Sequence, residues 1–206
     1  MLFNLGGPDS LDAVEPFLFN LFNDAAIIRV PGPLRWLLAK LISRRRAPLA
    51  RGIYSLIGGR SPLLAETEAQ ARAVESCLAD LGEVRAFTAM RYWHPLTEDA
   101  VAAVAEFAPD RIVLLPLYPQ FSTTTTASSL RAWNAAARRL AVPTVTVCCY
   151  PTLPGMIASQ AEAIAEACSR LAPQRPQVLF SAHGLPKKVI EAGDPYQWQV
   201  EQTAAA

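Results

Sequence analysis

Cysteine is scarce in this chain, and what there is does not pair. Cys77, Cys148, Cys149 and Cys168 contain no CxxC spacing, so the thiol pattern of a zinc ribbon or a dithiol redox motif is lacking. Cys77 and Cys168 fall on apolar helical faces. All four cysteines are expected to be small buried hydrophobes in a reducing cytosol. An excess of either charge is lacking too. The formal net charge is +1, which provides no global field for nucleic acid, and no nucleic-acid partner is expected. No apolar run approaches the ~20 residues that cross a bilayer; the run 112–117 is strand-length. The opening MLFNLGGPDS has neither a basic n-region nor a long apolar h-region, so it does not read as a secretory signal. There is no GxGxxG and no Walker lysine, which excludes the Gly6-Gly7-Pro8 turn as a nucleotide loop. Internal repeats and low-complexity tracts are missing as well.

What is present suits a packed α/β protein. The chain is 51% hydrophobic and 18% charged, which supplies a sizeable core and argues against disorder. Short apolar runs at 2–5, 84–90, 111–115, 144–148 and 177–181 read as strands. Leu63, Thr67, Ala71, Val74, Leu78 and Leu81 follow helical spacing, as do Ile157, Ala161, Ile164, Cys168 and Leu171. Thr97 reads as the N-cap of a helix running through Ala105. Strand–helix alternation predicts a doubly wound parallel sheet with helices on both faces. The break at Val142-Pro143 divides the chain into a first domain, 1–142, and the start of a second, 143–206. The chain opens abruptly on a strand end and closes on VEQTAAA, a helix without a stop signal, so it reads as part of something longer.

In a parallel sheet, ligands bind beyond the carboxyl ends of the strands. The segments there are 6–10, 91–95, 116–126, 150–154 and 182–186, all rich in Gly, Pro, Ser, Thr or aromatics. In the last of them, VLFSAHGLP, an apolar run ends at Ser181 and His183 follows on a Gly/Pro-bounded turn. An imidazole titrates near neutral pH and can take a proton or bind a borderline metal. A lone histidine tied to backbone at a turn is the alternative reading. His94, before Pro95 at a helix start, reads as structural.

The surrounding blocks decide between these readings. SAHGLP followed by Gly193-Asp194-Pro195-Tyr196 resembles the active-site stretch of the ferrochelatases. So do NLGGP at 4–8, Tyr54 with IGGRSP ending at Pro62, MRYWHP at 90–95 and PLYPQFSTTT at 116–125, in the family's order. Five blocks spread from residue 4 to residue 196 are specific together where each alone is weak. The resemblance implies a Rossmann-like chelatase fold whose second, similar domain is incomplete here. It also implies an enzyme, a lyase of haem biosynthesis, that inserts Fe²⁺ into protoporphyrin IX. It assigns metal contact and proton acceptance to His183. The family's partner glutamate has no match in this sequence and is expected beyond Ala206. For this reason the 206 residues alone are expected to be inactive or nearly so.

The porphyrin carboxylates need cations and hydroxyl donors. By resemblance Arg46, Tyr54 and Ser61 supply them, from a run of three arginines, Arg44 to Arg46, and the segment after it. A solvated helix end is the other reading of that run. Leu49 replaces a basic residue of some family members. Arg91 and Tyr92 follow a strand and, by resemblance, are expected near the ring and the metal path, with Leu5 packing on the porphyrin face. Tyr118, Gln120 and Ser122, at the next strand end, are weaker substrate-binding candidates, with loop packing and turn hydrogen bonding as the other reading. No cofactor beyond the substrate iron is implied. Some ferrochelatases hold an iron–sulfur cluster through C-terminal cysteines; Thr123 stands at one further ligand position, and no such cluster is expected here.

Residues 33–46, PLRWLLAKLISRRR, place Trp36, Leu37, Leu38, Leu41 and Ile42 to one side of a basic helix. Such a helix can lie on an anionic membrane surface, or form a lid with its apolar face buried. The expected location is cytoplasmic, with a peripheral inner-membrane contact. Two alternatives remain beside the chelatase reading: a non-catalytic porphyrin-binding fragment, and a related chelatase for another tetrapyrrole or divalent metal.

Overall fold

The computed structural model describes residues 1–171, 173 and 176–206. It falls into two compact units. The first holds residues 1–118 and 123–147, the second 119–122 and 148–206.

The first unit is built on four parallel strands, β1 (Leu2–Asn4), β2 (Thr88–Met90), β3 (Ile112–Pro116) and β4 (Thr144–Thr146), in the order β2-β1-β3-β4. Helices α1 (Val14–Phe22), α2 (Gly32–Ser55) and α3 (Leu63–Cys77) connect β1 to β2. α4 (Thr97–Phe107) leads to β3 and α5 (Thr126–Ala136) to β4. The predicted doubly wound sheet is therefore observed. β2 is shorter than the run 84–90 suggested. Its lead-in packs through Phe87 against the core without joining the ladder throughout.

Side chains alternate across the strands. Phe3, Ala89, Ile112 and Leu114 point to one face, where Ala100 and Val104 of α4 and Trp133 of α5 close a buried cluster. Leu2 and Asn4 point to the other. There the Asn4 amide donates to Thr67 Oγ1 on α3 at 3.0 Å, and the Thr67 hydroxyl donates to the Leu63 carbonyl at 2.7 Å. Of the α3 stripe predicted from Leu63 to Leu81, Thr67 and Ala71 are buried and Leu63 and Val74 half-buried; the helix ends at Cys77, and Leu78 and Leu81 beyond it are exposed. α4 begins one residue earlier than expected. Leu96 holds the cap position, its N–H bonded to Asp99 at 2.9 Å, and Thr97 is the first helical residue and buried. The carboxylate three residues on reaches back to the N–H of the cap residue, the reciprocal half of a capping box.

The second unit contains α6 (Pro154–Ser169), α7 (Lys187–Glu191) and α8 (Tyr196–Ala205). α8 is tied to the segment 119–122. Gln199 accepts from the Phe121 N–H at 2.6 Å, and Gln120 donates to Thr203 at 2.9 Å. α6 forms where its spacing predicted, yet none of its residues is buried. The expected strand at 177–181 is a correction. Those residues are irregular, with Leu179 82% and Phe180 64% exposed. A strand exists only when a neighbour takes its backbone groups, and among the described residues none pairs with this segment. The cysteine expectation also fails: Cys77 and Cys148 are exposed. Cys77 is the last residue of α3, where the buried stripe has run out.

Candidate functional site

The strand order locates the crevice. From β1 the chain goes to β2 on one side, then crosses to β3 on the other, so the winding reverses between β1 and β3. In sheets of this kind ligands bind at the carboxyl ends, where the loops diverge. The segments after β1, β2 and β3 meet at that edge. Arg91 N–H donates to the Asn4 carbonyl at 2.9 Å, Tyr92 N–H to the Leu5 carbonyl at 3.0 Å, and Leu117 N–H to the Phe3 carbonyl at 2.8 Å.

The turn after β1 depends on its two glycines. Gly6 has a φ of +85°, and a Cβ there would stand 3.0 Å from the Trp93 nitrogen. Gly7 lies against Ser61. A Cβ on Gly7 would overlap the Ser61 hydroxyl and come within 2.5 Å of its Cβ. The Ser61 N–H donates to the Pro8 carbonyl at 2.7 Å, and its hydroxyl accepts from the Leu63 N–H at the start of α3. The NLGGP and GGRSP blocks are thus one contact, which explains why glycine is needed in the first for serine to sit in the second. Gly7→Ala is expected to displace Ser61 and destabilise the unit by about 1–3 kcal/mol. Urea denaturation beside Gly52→Ala, whose Cβ would meet nothing, checks this; equal losses would refute the contact.

Around the end of β2 lies a network absent from the sequence reading. The Asp24 carboxylate is 7% exposed. It accepts from Arg91 Nη2 and from the Tyr92 hydroxyl, both at 2.8 Å, and from the Ser128 hydroxyl at 2.5 Å. Its other oxygen accepts from the Ala26 N–H at 2.8 Å. Arg91 Nε donates to Ser128 at 2.8 Å. Three stretches of chain, the end of α1, the end of β2 and the first turn of α5, are joined through one carboxylate. Burial alone would raise the Asp24 carboxyl. The Ala26 N–H, Ser128, the Arg91 charge and Tyr92 outweigh it, and hold the group below its ordinary range. Asp24 therefore stabilises this unit above the usual carboxyl range, and the contribution is lost as pH falls through its lowered value. Tyr92 is pushed up by burial first, then by the Asp24 charge and hydrogen bond. It stays a neutral donor. Sequence reasoning missed Asp24 because it belongs to no motif. The one signal was an acid inside the apolar stretch LFNDAAII.

The sequence-predicted residues take the following places. Leu5, Ser61, Arg91, Tyr92 and Tyr118 belong to the carboxyl edge of the first unit. Tyr92 is 1% exposed, with its hydroxyl spent on Asp24. The Tyr118 hydroxyl lies 3.4 Å from Ser129 Oγ, and burial pushes it up to about 12. Arg46 is exposed on α2 with its guanidinium 5.5 Å from the Phe22 ring. Tyr54, on the last turn of α2, is half-buried and raised by burial. Gln120 and Ser122 belong to the second unit. Ser122 donates to Asp194 Oδ2 at 3.0 Å, and Asp194 Oδ1 accepts from the Tyr196 N–H at the start of α8. The GDPY block thereby starts a helix. His183 also lies in the second unit, exposed in the irregular stretch 176–186, with no hydrogen-bond partner among the described residues. No cluster of three or more His, Cys, Asp and Glu side chains that could hold a metal occurs among the described residues.

A cleft of 960 Å³ lies elsewhere. Met1, Leu2, Phe87 and Ile112 line it at the opposite, amino ends of the strands, with Leu78 and Leu81. Glu83, Arg85, Glu106, Asp110 and Arg111 also line it, but in a parallel sheet ligands bind at the carboxyl ends, not here.

A family model described as Ferrochelatase matches residues 1–206. The chain is 58% identical over 210 residues to a ferrochelatase of Caulobacter vibrioides (strain NA1000 / CB15N), covering 100% of this chain and 60% of that protein. It is 55% identical over 210 residues to a ferrochelatase of Phenylobacterium zucineum (strain HLK1), covering 100% and 61%. With a ferrochelatase of Rickettsia bellii (strain OSU 85-389) it shares 50% over 208 residues, covering 100% and 58%. The chain thus spans about 60% of the length of these relatives.

Proposed function

The chain belongs to the ferrochelatase family, and from that premise we propose that its protein inserts ferrous iron into protoporphyrin IX, the last step of haem synthesis. The single observation that carries the reading is a family match running the length of the chain. The reaction sets physical demands on the residues. A free-base porphyrin carries two N–H protons in a flat ring. Both must leave as Fe²⁺ enters, so the protein has to grip the macrocycle, bend it and accept protons. His183 is assigned metal contact and the first proton. An exposed imidazole with no protein partner among the described residues has both nitrogens available for that work. Arg46, Tyr54 and Ser61 are assigned to the carboxylates, Arg91, Tyr92 and Tyr118 to the ring edge and metal path, and Leu5 to the porphyrin face. The buried Tyr92 would act there through what it holds. The reading needs no cofactor beyond the substrate iron. Absorbance of the full-length protein with protoporphyrin and Fe²⁺ under anaerobic conditions tests it. Formation of the metalloporphyrin spectrum supports the proposal; porphyrin binding without metal insertion refutes it in favour of a non-catalytic porphyrin binder.

The setting proposed is the cytoplasm, with peripheral contact at the inner membrane. No helix among the described residues is long and apolar enough to cross a membrane. α2 nevertheless exposes Leu34, Trp36, Leu37 and Leu41, with Lys40 Nζ 4.8 Å from the Trp36 ring and exposed Arg44 and Arg45 farther along. Trp36 is only edge-packed on Phe19 at 6.3 Å. Each apolar side chain that enters the interface adds about 1.5–3 kcal/mol. Flotation with anionic phosphatidylglycerol vesicles is therefore expected to carry the protein up, and Trp36→Gln with Leu37→Gln to reduce the bound fraction at least tenfold. Absence of binding, or binding indifferent to both substitutions, removes the membrane contact.

A further inference from the structure

A divalent cation and a fixed arginine make poor neighbours, and the network at the end of β2 resolves that conflict. Arg91 stands at the carboxyl edge of the sheet, its side chain 26% exposed. A guanidinium stays charged at every working pH, and its field reaches outward across a crevice with low-dielectric walls. Unbalanced, that charge would repel Fe²⁺ and draw anions. Asp24 lies 2.8 Å from Arg91 Nη2 and is nearly sealed from water, so it acts as a fixed counter-charge that solvent screens weakly. The other groups on Asp24 are neutral: the Ser128 and Tyr92 hydroxyls and the Ala26 N–H. The pair therefore sums to zero. The arginine keeps its shape, its Nη1 has no hydrogen-bond partner among the described residues, and the pair adds no net charge to the edge.

We infer that Asp24 is a positioning residue for metal entry, which holds Arg91 and cancels its charge so that the crevice admits a divalent metal ion. The inference rests on the chelatase reading. It also has a sign that a merely structural role lacks. Loss of the carboxylate charge raises the KM for the metal and does not raise the KM for the anionic porphyrin, because the freed guanidinium repels the one and attracts the other. Loss of packing alone would worsen both or lower kcat.

The test is steady-state kinetics of the full-length protein with Fe²⁺, and with Zn²⁺ as an air-stable probe. Asp24→Asn is expected to raise the metal KM about tenfold at low ionic strength. The porphyrin KM should stay level or fall, and the metal effect should shrink at high salt. Adding Arg91→Met removes the unbalanced charge and is expected to return the metal KM towards wild type, whatever it does to porphyrin binding. If the Asp24→Asn protein folds poorly, Ser128→Ala supplies a milder arm. It leaves both charges in place and should leave the metal KM within about twofold; a tenfold rise there would make the network's role structural and overturn the inference. Three results with Asp24→Asn overturn the inference alone: an unchanged metal KM, a rise in both KM values, or no restoration by Arg91→Met. Wild-type protein that binds porphyrin and inserts neither metal overturns the functional reading, and the inference falls with it.

Discussion

His183→Ala in the full-length protein is expected to abolish metal insertion while porphyrin binding survives. A positioned acid–base group contributes about 10²–10⁴ in rate, and a group that also contacts the metal belongs at the upper end. Under the proposed function, porphyrin affinity is expected from other sources: apolar area on the ring and the carboxylate contacts proposed for Arg46, Tyr54 and Ser61. Removing one exposed imidazole touches neither. Because His183 has no hydrogen-bond partner among the described residues, its loss leaves no orphaned group, and stability should change by less than about 0.5 kcal/mol. The measurement is the initial rate of metalloporphyrin formation, with porphyrin binding followed by fluorescence quenching. Turnover within tenfold of wild type would refute the assigned role. Joint loss of binding and turnover would make His183 a binding residue.

The sequence disclosed those features that local chemistry determines. The first three turns of the α3 stripe, the apolar strands of the first unit and the glycine turn after β1 are written in spacing and residue type, and they appear where expected; Leu78 and Leu81, the end of that stripe, lie past the helix and are exposed. The parallel sheet followed from alternation of strand and helix. Features that depend on distant partners were less legible. Residues 177–181 have the composition of a strand, but a strand needs a neighbour's backbone, and composition does not reveal whether one is at hand. Thr97 looked like a cap because threonine often is one, while the cap position falls on Leu96, whose N–H is taken by Asp99 in the first turn. Asp24 gave almost no sign. Its importance comes from Arg91, Tyr92 and Ser128, which lie 67, 68 and 104 positions away in the chain. His183 stood out for a different reason: its flanking blocks carry a family pattern that no periodicity argument would have found.

Trp133→Ala should be among the most destabilising single substitutions in the first unit, at about 3–5 kcal/mol. Trp133 is buried on α5, with its ring edge-on to Phe3 of β1 at 6.0 Å. It shares the cluster with Ala100 and Val104 of α4 and with Ile112 and Leu114 of β3. Three of its neighbours lie on strands and cannot shift without breaking ladder hydrogen bonds, so the cavity left by the indole would collapse poorly. Trp198, which is exposed on α8, is the internal control, and Trp198→Ala should cost within about 0.5 kcal/mol. Because the chain has two units, a single melting curve need not report on the first alone. Amide exchange of β1 and β3 is the appropriate measurement, and a loss there below about 1 kcal/mol would refute the packing account. The consequence extends beyond stability. Ser128 and Ser129 ride on the same helix as Trp133, and they hold the Asp24–Arg91 pair and the Tyr118 hydroxyl. The cluster beneath the sheet therefore sets how rigidly that edge can be held, and a loosened α5 should free the Ser128 and Ser129 contacts before the unit unfolds.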